Sequence, residues 1–155
     1  MNKTLICYFS ATGTTKKVAE KMASIINSDL FEIEPVEEYS EKDLDWMDKT
    51  SRSSVEMNDP SSRPSIKNKV NNLNDYDKVV IGFPVWWYIA PKIINTFIEE
   101  NDLTNKDIYV FVTSGSSSPT SSFNNLKKDY SSLKFISSKR FTGTEEDNEF
   151  TNWLA

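Results

Sequence analysis

Residues 8–22 read YFSATGTTKKVAEKM, in which an apolar run passes through five small or hydroxylated residues around one glycine and goes directly into a helix pattern. Upstream, Leu5 to Phe9 is unbroken apolar sequence, LICYF, as expected for a parallel strand buried on both faces. Downstream, from Thr14 to Asn27, the residues Val18, Ala19, Met22, Ile25 and Ile26 recur at helical spacing while lysines and a glutamate take the other side. The stretch reads as the opening of a βα unit, with a hydroxyl-rich turn where strand gives way to helix.

The rest of the chain repeats that unit. DLFEIEP (29–35) alternates Phe31 and Ile33 with Glu32 and Glu34 and stops at Pro35, the pattern of a half-exposed edge strand. DKVVIGFP (77–84) and DIYVFVTSG (107–115) are further buried-strand runs, and LKFISSKRF (133–141) is a second edge-strand pattern. Between them, Ile93, Ile94, Phe97 and Ile98 share one helical face, and Phe123, Leu126 and Tyr130 another. Thr144 with Asp147 offers a capping-box start for a last short helix carrying Phe150, Trp153 and Leu154. Residues 36–74 are polar and too long for a simple loop, with a short helix expected around Leu44 to Met57.

Five βα units predict an α/β three-layer sandwich, because parallel strands need crossovers and the crossovers are right-handed. Strands 1, 3 and 4 are the fully apolar ones and strands 2 and 5 the edges, which fits a five-stranded parallel sheet of order 2-1-3-4-5. In that order the loops leaving strands 1 and 3 diverge and open a crevice where ligands bind.

At 155 residues the default is one domain over residues 1–155, with 37% hydrophobic and 26% charged residues as in a folded globular chain. The one cysteine, Cys7, excludes a disulfide within the chain and reads as a small buried hydrophobe, and with no histidine the usual zinc constellations cannot be assembled. No metal is expected. The N-terminal apolar run is too short for a signal segment and nothing approaches a membrane span, so the expectation is a cytoplasmic protein with no membrane contact. A net charge of −5 argues against nucleic acid as a partner. It suits a partner with a basic surface, and on charge alone it suits plain solubility at least as well.

Three loops at the crevice hold the candidate chemistry. Ser10, Ala11, Thr12, Gly13, Thr14 and Thr15 lie between a strand and a helix N-terminus, where free backbone N–H groups and the helix dipole attract an anion and the hydroxyls add donors. Gly13 permits a tight turn. The loop has neither the Walker ending nor the three-glycine dinucleotide fingerprint, and an ordinary turn with a Ser/Thr N-cap would also use such residues. The second loop, Pro84, Val85, Trp86, Trp87 and Tyr88, sets three aromatics in a row, suited to a flat ligand, to plugging the core or to a partner interface. The third, TSGSSSPTSS (113–122), with candidates Ser114, Gly115, Ser116 and Ser117, is small and polar, Gly115 allowing close backbone approach, and read alone is a flexible loop.

Together SATGTT, GFPVWW and VTSGSS, with SRPSI (62–66) before strand 3, resemble the flavodoxin family, specifically a subgroup whose loop after strand 3 reads close to PxWW, and the likeness spans essentially the whole chain. That resemblance implies an FMN cofactor whose phosphate is held at Ser10 to Thr15. It implies that Pro84 to Tyr88 flank the flavin ring, Trp86 or Trp87 stacking on it, and that Ser114 to Ser117 line its pyrimidine side. The implied function is that of a low-potential one-electron carrier between redox proteins with basic docking surfaces. The fold also hosts NAD(P)H-dependent quinone or flavin reductases, and a module that has lost its cofactor is a third reading. One departure stands out: the subgroup commonly carries glycine after the tryptophan pair, whereas this chain has Tyr88, for which a positive φ is sterically costly.

Overall fold

The computed structural model describes residues 3–155, so the first two residues of the expected domain lie outside it. Five strands, β1 (Thr4–Tyr8), β2 (Asp29–Glu32), β3 (Lys78–Pro84), β4 (Asp107–Thr113) and β5 (Lys134–Arg140), pair in parallel in the order β2-β1-β3-β4-β5. The sheet has the expected order for the reason the sequence suggests: β1, β3 and β4 are buried on both faces, while β2 and β5 keep polar residues for the edges. Five helices cross between or follow the strands: α1 (Thr14–Ile26), α2 (Arg52–Asn58), α3 (Lys92–Glu100), α4 (Thr120–Asp129) and α5 (Asp147–Leu154).

Because side chains alternate across a strand, the sheet builds two cores. On one face Cys7, Val79, Ile81, Ile108 and Val110 pack with Ile93, Ile94 and Phe97 of α3 and Leu126 of α4. On the other, Ile6, Val80 and Phe111 pack with Val18, Ala19 and Met22 of α1 and Phe150 and Leu154 of α5. Cys7 is fully buried, and burial pushes its thiol pKa far up, so it packs as a small apolar side chain. Gly82 sits opposite Phe111 in the sheet, and a Cβ placed there would fall 2.1 Å from the Phe111 ring. That face closes only over a glycine.

Two local expectations are corrected. The helix expected around Leu44 to Met57 begins only at Arg52, with Ser51 as its N-cap. Residues 40–51 instead run through successive turns in which side chains satisfy nearby backbone: Asp43 accepts from Ser40 N–H, Ser40 Oγ from Asp43 N–H, and Asp45 and Asp48 from Met47 and Thr50 N–H. Such short polar side chains compete with helical hydrogen bonding, which delays the helix until they run out. The capping box of α5 is formed by Glu146 and Glu149, not by Thr144 and Asp147. Thr144 bonds Thr142 instead, and the carboxylates at Glu146 and Glu149 each reach the other residue's N–H.

Candidate functional site

Above the C-terminal ends of β1, β3 and β4 the diverging loops enclose a cavity of about 1170 Å³. Of the fifteen candidates from the sequence, all but Ser10 and Gly13 line it: Ala11, Thr12, Thr14 and Thr15 from the first loop, Pro84 to Tyr88 from the second, and Ser114 to Ser117 from the third. Ser10 and Gly13 shape the first loop instead. Ser10 Oγ accepts the Gly13 N–H at 3.0 Å, and Gly13 takes φ +97° as the N-cap of α1, with no side-chain cap bond. The ordinary Ser/Thr-capped turn is therefore not what this loop forms. A left-handed residue at that point turns the chain sharply into the helix, and the first-turn N–H groups of α1 have no intrahelical partner. With the exposed hydroxyls of Thr12 and Thr14 on the cavity wall and no acidic residue in the first turn, this end suits an anion. Thr15 is buried and its hydroxyl is already paired, 2.7 Å from that of Thr113 across the sheet.

The second loop is a tight turn closed by Trp86 N–H to Ile89 O at 3.0 Å and Ile89 N–H to Trp86 O at 3.1 Å. Both central residues lie in the left-handed region, Trp87 at φ +49° and Tyr88 at φ +68°. This is the conformation a two-residue hairpin turn prefers, occupied here by two aromatics instead of the usual asparagine and glycine. The cost, on the order of 1–2 kcal/mol for each residue, is carried by the fold. Ser122 Oγ also donates to Tyr88 O at 3.3 Å. Trp86 is half-buried, edge-on to Phe9 at 5.6 Å and to Tyr39 at 5.3 Å, so its ring is fixed as part of the cavity wall. Trp87 and Tyr88 are exposed at the mouth.

The third loop is held from the outer edge of the sheet. Arg140, near the end of β5, donates to Ser114 O, Ser114 Oγ and Gly115 O, the last at 2.7 Å, and Ser114 Oγ donates to Ser117 O at 2.8 Å. Nothing in the protein lies within 4 Å of a Cβ built at Gly115, so this glycine faces open space.

Sequence reasoning missed six wall residues: Leu44, Trp46 and Ser53 from the segment before and within α2, and Thr113, Phe141 and Thr142 from strand ends. Thr113 opens the TSGSSSPTSS loop (113–122) that the sequence marks, although it is not among the candidates there. Leu44, Trp46 and Ser53 had none, since only the folded path of residues 36–58 brings them to the crevice. Ser53 Oγ is buried without a hydrogen-bond partner, the kind of group that calls for a further polar atom nearby. The cavity wall thus combines donors for an anion with aromatic and small polar side chains. Among the described residues no group of three or more His, Cys, Asp or Glu is placed to hold a metal ion, and no helix is long and apolar enough to cross a membrane.

Comparison with known proteins agrees with this geometry. The flavodoxin family profile matches residues 3–155. A candidate flavoprotein from Bacteroides eggerthii is 47% identical over 99% of this chain and 96% of its own, with a TM-score of 0.96, and one from Bacteroides uniformis is 42% identical over 99% and 97%, with a TM-score of 0.93. A flavoprotein from Lactobacillus acidophilus, solved in complex with FMN, is 28% identical over the full length of both chains, with a TM-score of 0.77. No curated protein is significantly similar.

Proposed function

The chain belongs to the flavodoxin family, and from that premise we propose that it binds FMN in the cavity and carries single electrons between redox proteins. The observation that carries the reading is the joining of an anion-binding helix start and an aromatic wall in one cavity. The residues fit the cofactor. The first-turn amides of α1 with Thr12 and Thr14 would hold the phosphate, Trp86 and its neighbours would flank the ring, and Ser114 to Ser117 would meet its polar edge. The buried, unpartnered Ser53 hydroxyl is a further polar group on that wall. When bound, the flavin supplies the redox chemistry, and the protein supplies orientation and electrostatics.

The chain's own residues then set the potential through differential binding, a tenfold difference in affinity between two redox states being worth about 59 mV for one electron. Residues 37–49 hold six carboxylates (Glu37, Glu38, Glu41, Asp43, Asp45, Asp48) against Lys42 and Lys49. Negative charge on a segment that borders the cavity disfavours the more negative reduced cofactor and lowers the potential. The same charge favours docking of a partner with a basic surface, most strongly at low salt.

Titrating the purified protein with FMN while following flavin fluorescence tests the binding. Tight quenching is expected, and a protein that ignores FMN overturns the reading in favour of a cofactor-free module. A reductase is the second reading, favoured by one observation: the cavity exceeds the roughly 300–1,000 Å³ of usual small-molecule sites and so leaves room beside a cofactor. Rapid NADPH oxidation that depends on an added quinone would move the assignment there. Stepwise reduction with two well-separated one-electron potentials supports the carrier.

A further inference from the structure

We propose that Trp46 covers the outer face of the cofactor's flat ring, and that Arg52 is the positioning residue that holds it there; the inference rests on the FMN reading above. Trp46 lines the cavity and is nevertheless 71% exposed. Among the described residues it pairs with no other aromatic ring, whereas Trp86 packs on Phe9 and Tyr39, and Trp153 on Tyr109 and Phe141. An indole gains most of its free energy by burying its broad faces, so one left open on the wall of a ligand cavity is a surface for a flat apolar group. The occupant is argued from the cavity itself. The same cavity is lined by the anion-binding start of α1 and by Trp86, fixed against Phe9 and Tyr39, so a phosphate-bearing planar ligand seated there meets one aromatic side chain already packed and a second, Trp46, whose faces are still open.

That segment folds around one arginine. Arg52 Nη1 donates to Glu37 O at 2.8 Å and to Glu38 O at 3.3 Å, and lies 3.9 Å from Asp43 Oδ2. Its Nε donates to Glu56 Oε2 at 3.0 Å, and the guanidinium lies 3.8 Å over the Tyr39 ring. Glu56 Oε1 in turn accepts the Tyr39 hydroxyl at 2.5 Å, and Ser53 N–H donates to Asp43 O at 2.9 Å. Arg52 thereby joins the start of the segment, the turn that immediately precedes Trp46, and α2. A planar fork that bonds on its edge and stacks on its face performs both tasks at once, which a lysine ammonium does not. Tyr39 of the same cluster touches Trp86, which is also held by its packing on Phe9.

The test uses the full-length apoprotein titrated with FMN and, separately, with riboflavin, which lacks the phosphate. Wild type is measured first. If it binds neither, the FMN reading fails and takes this inference with it, whereas any failure seen only in the variants is a failure of the inference alone. Trp46→Ala is expected to weaken both ligands by the same factor, roughly 10- to 100-fold as for loss of one base-stacking aromatic. Trp46→Phe should stay within about threefold of wild type, and neither change should lower the apoprotein's melting temperature, since the indole is exposed. Wild-type affinity in Trp46→Ala, or weakening of FMN with riboflavin unaffected, overturns the ring contact. Arg52→Lys should show most of the Trp46→Ala loss, and adding Arg52→Lys to Trp46→Ala should cost little more. Fully additive losses would overturn the positioning role, and the lysine variant keeps the charge where Arg52→Met fails to fold.

Discussion

The two walls of the cavity are built by different physics. One wall is made of the loops after β1, β3 and β4, whose ends are fixed by a fully paired parallel sheet and whose shape is set by backbone: Gly13 at φ +97°, the closed turn Trp86 to Ile89, and carbonyls of Ser114 and Gly115 held by Arg140. The other wall, residues 36–58, contributes no strand to the sheet and packs on the core through Tyr39. It is folded by side chains bonding to neighbouring backbone and by the partners of Arg52. A wall hung from a sheet inherits the sheet's stability, while a wall held by polar side chains opens at lower cost and independently.

Four substitutions break or sharpen that contrast. The largest effect is expected from Gly82→Ala. Its new methyl meets the Phe111 ring, so the sheet wall should lose about 3 kcal/mol of global stability, read as a lowered denaturation midpoint with an unchanged slope. Next is Arg52→Met, which removes the charged partner of Glu56 and leaves that mostly buried carboxylate with the Tyr39 hydroxyl. A local loss of about 2 kcal/mol should speed amide exchange across residues 37–58 and leave that of β1, β3 and β4 unchanged. Equal acceleration in the strands would mean the two walls are one cooperative unit.

Gly13→Ala comes third. Nothing lies within 4 Å of the added methyl, so the cost is conformational alone, about 1 kcal/mol, and it should fall on anion affinity as well as on the melting temperature. Smallest is Tyr88→Gly, which relieves a left-handed tyrosine at the price of a freer unfolded chain. A net stabilisation of about 0.5 kcal/mol in chemical denaturation is expected, and a destabilised variant would mean that the exposed ring packs more than its φ costs.

The Tyr88 position illustrates how sequence reading and structure divide the problem. The sequence marks a tyrosine as costly at positive φ, and the fold places it there regardless, because the paired bonds between Trp86 and Ile89 outweigh the local preference. The delayed start of α2 has the same origin in reverse. A short helix is expected around Leu44 to Met57, and the aspartates and serines of residues 40–51 spend their side chains on turns instead. Thr15, marked in the sequence as an anion-loop hydroxyl, and Thr113, 98 positions away, become a buried pair under the cavity only when α1 meets β4.

What the sequence determined by itself was the sheet, its order and the three loops at its C-terminal edge. Apolar runs, helical periodicity and a hydroxyl-rich turn are patterns over neighbouring residues, and five of them in alternation admit few topologies. What only the tertiary structure decided was the second wall. Leu44, Trp46 and Ser53 have no local signature, and their place at the cavity follows from long-range bonds of Arg52 and Tyr39 that no short window of sequence contains.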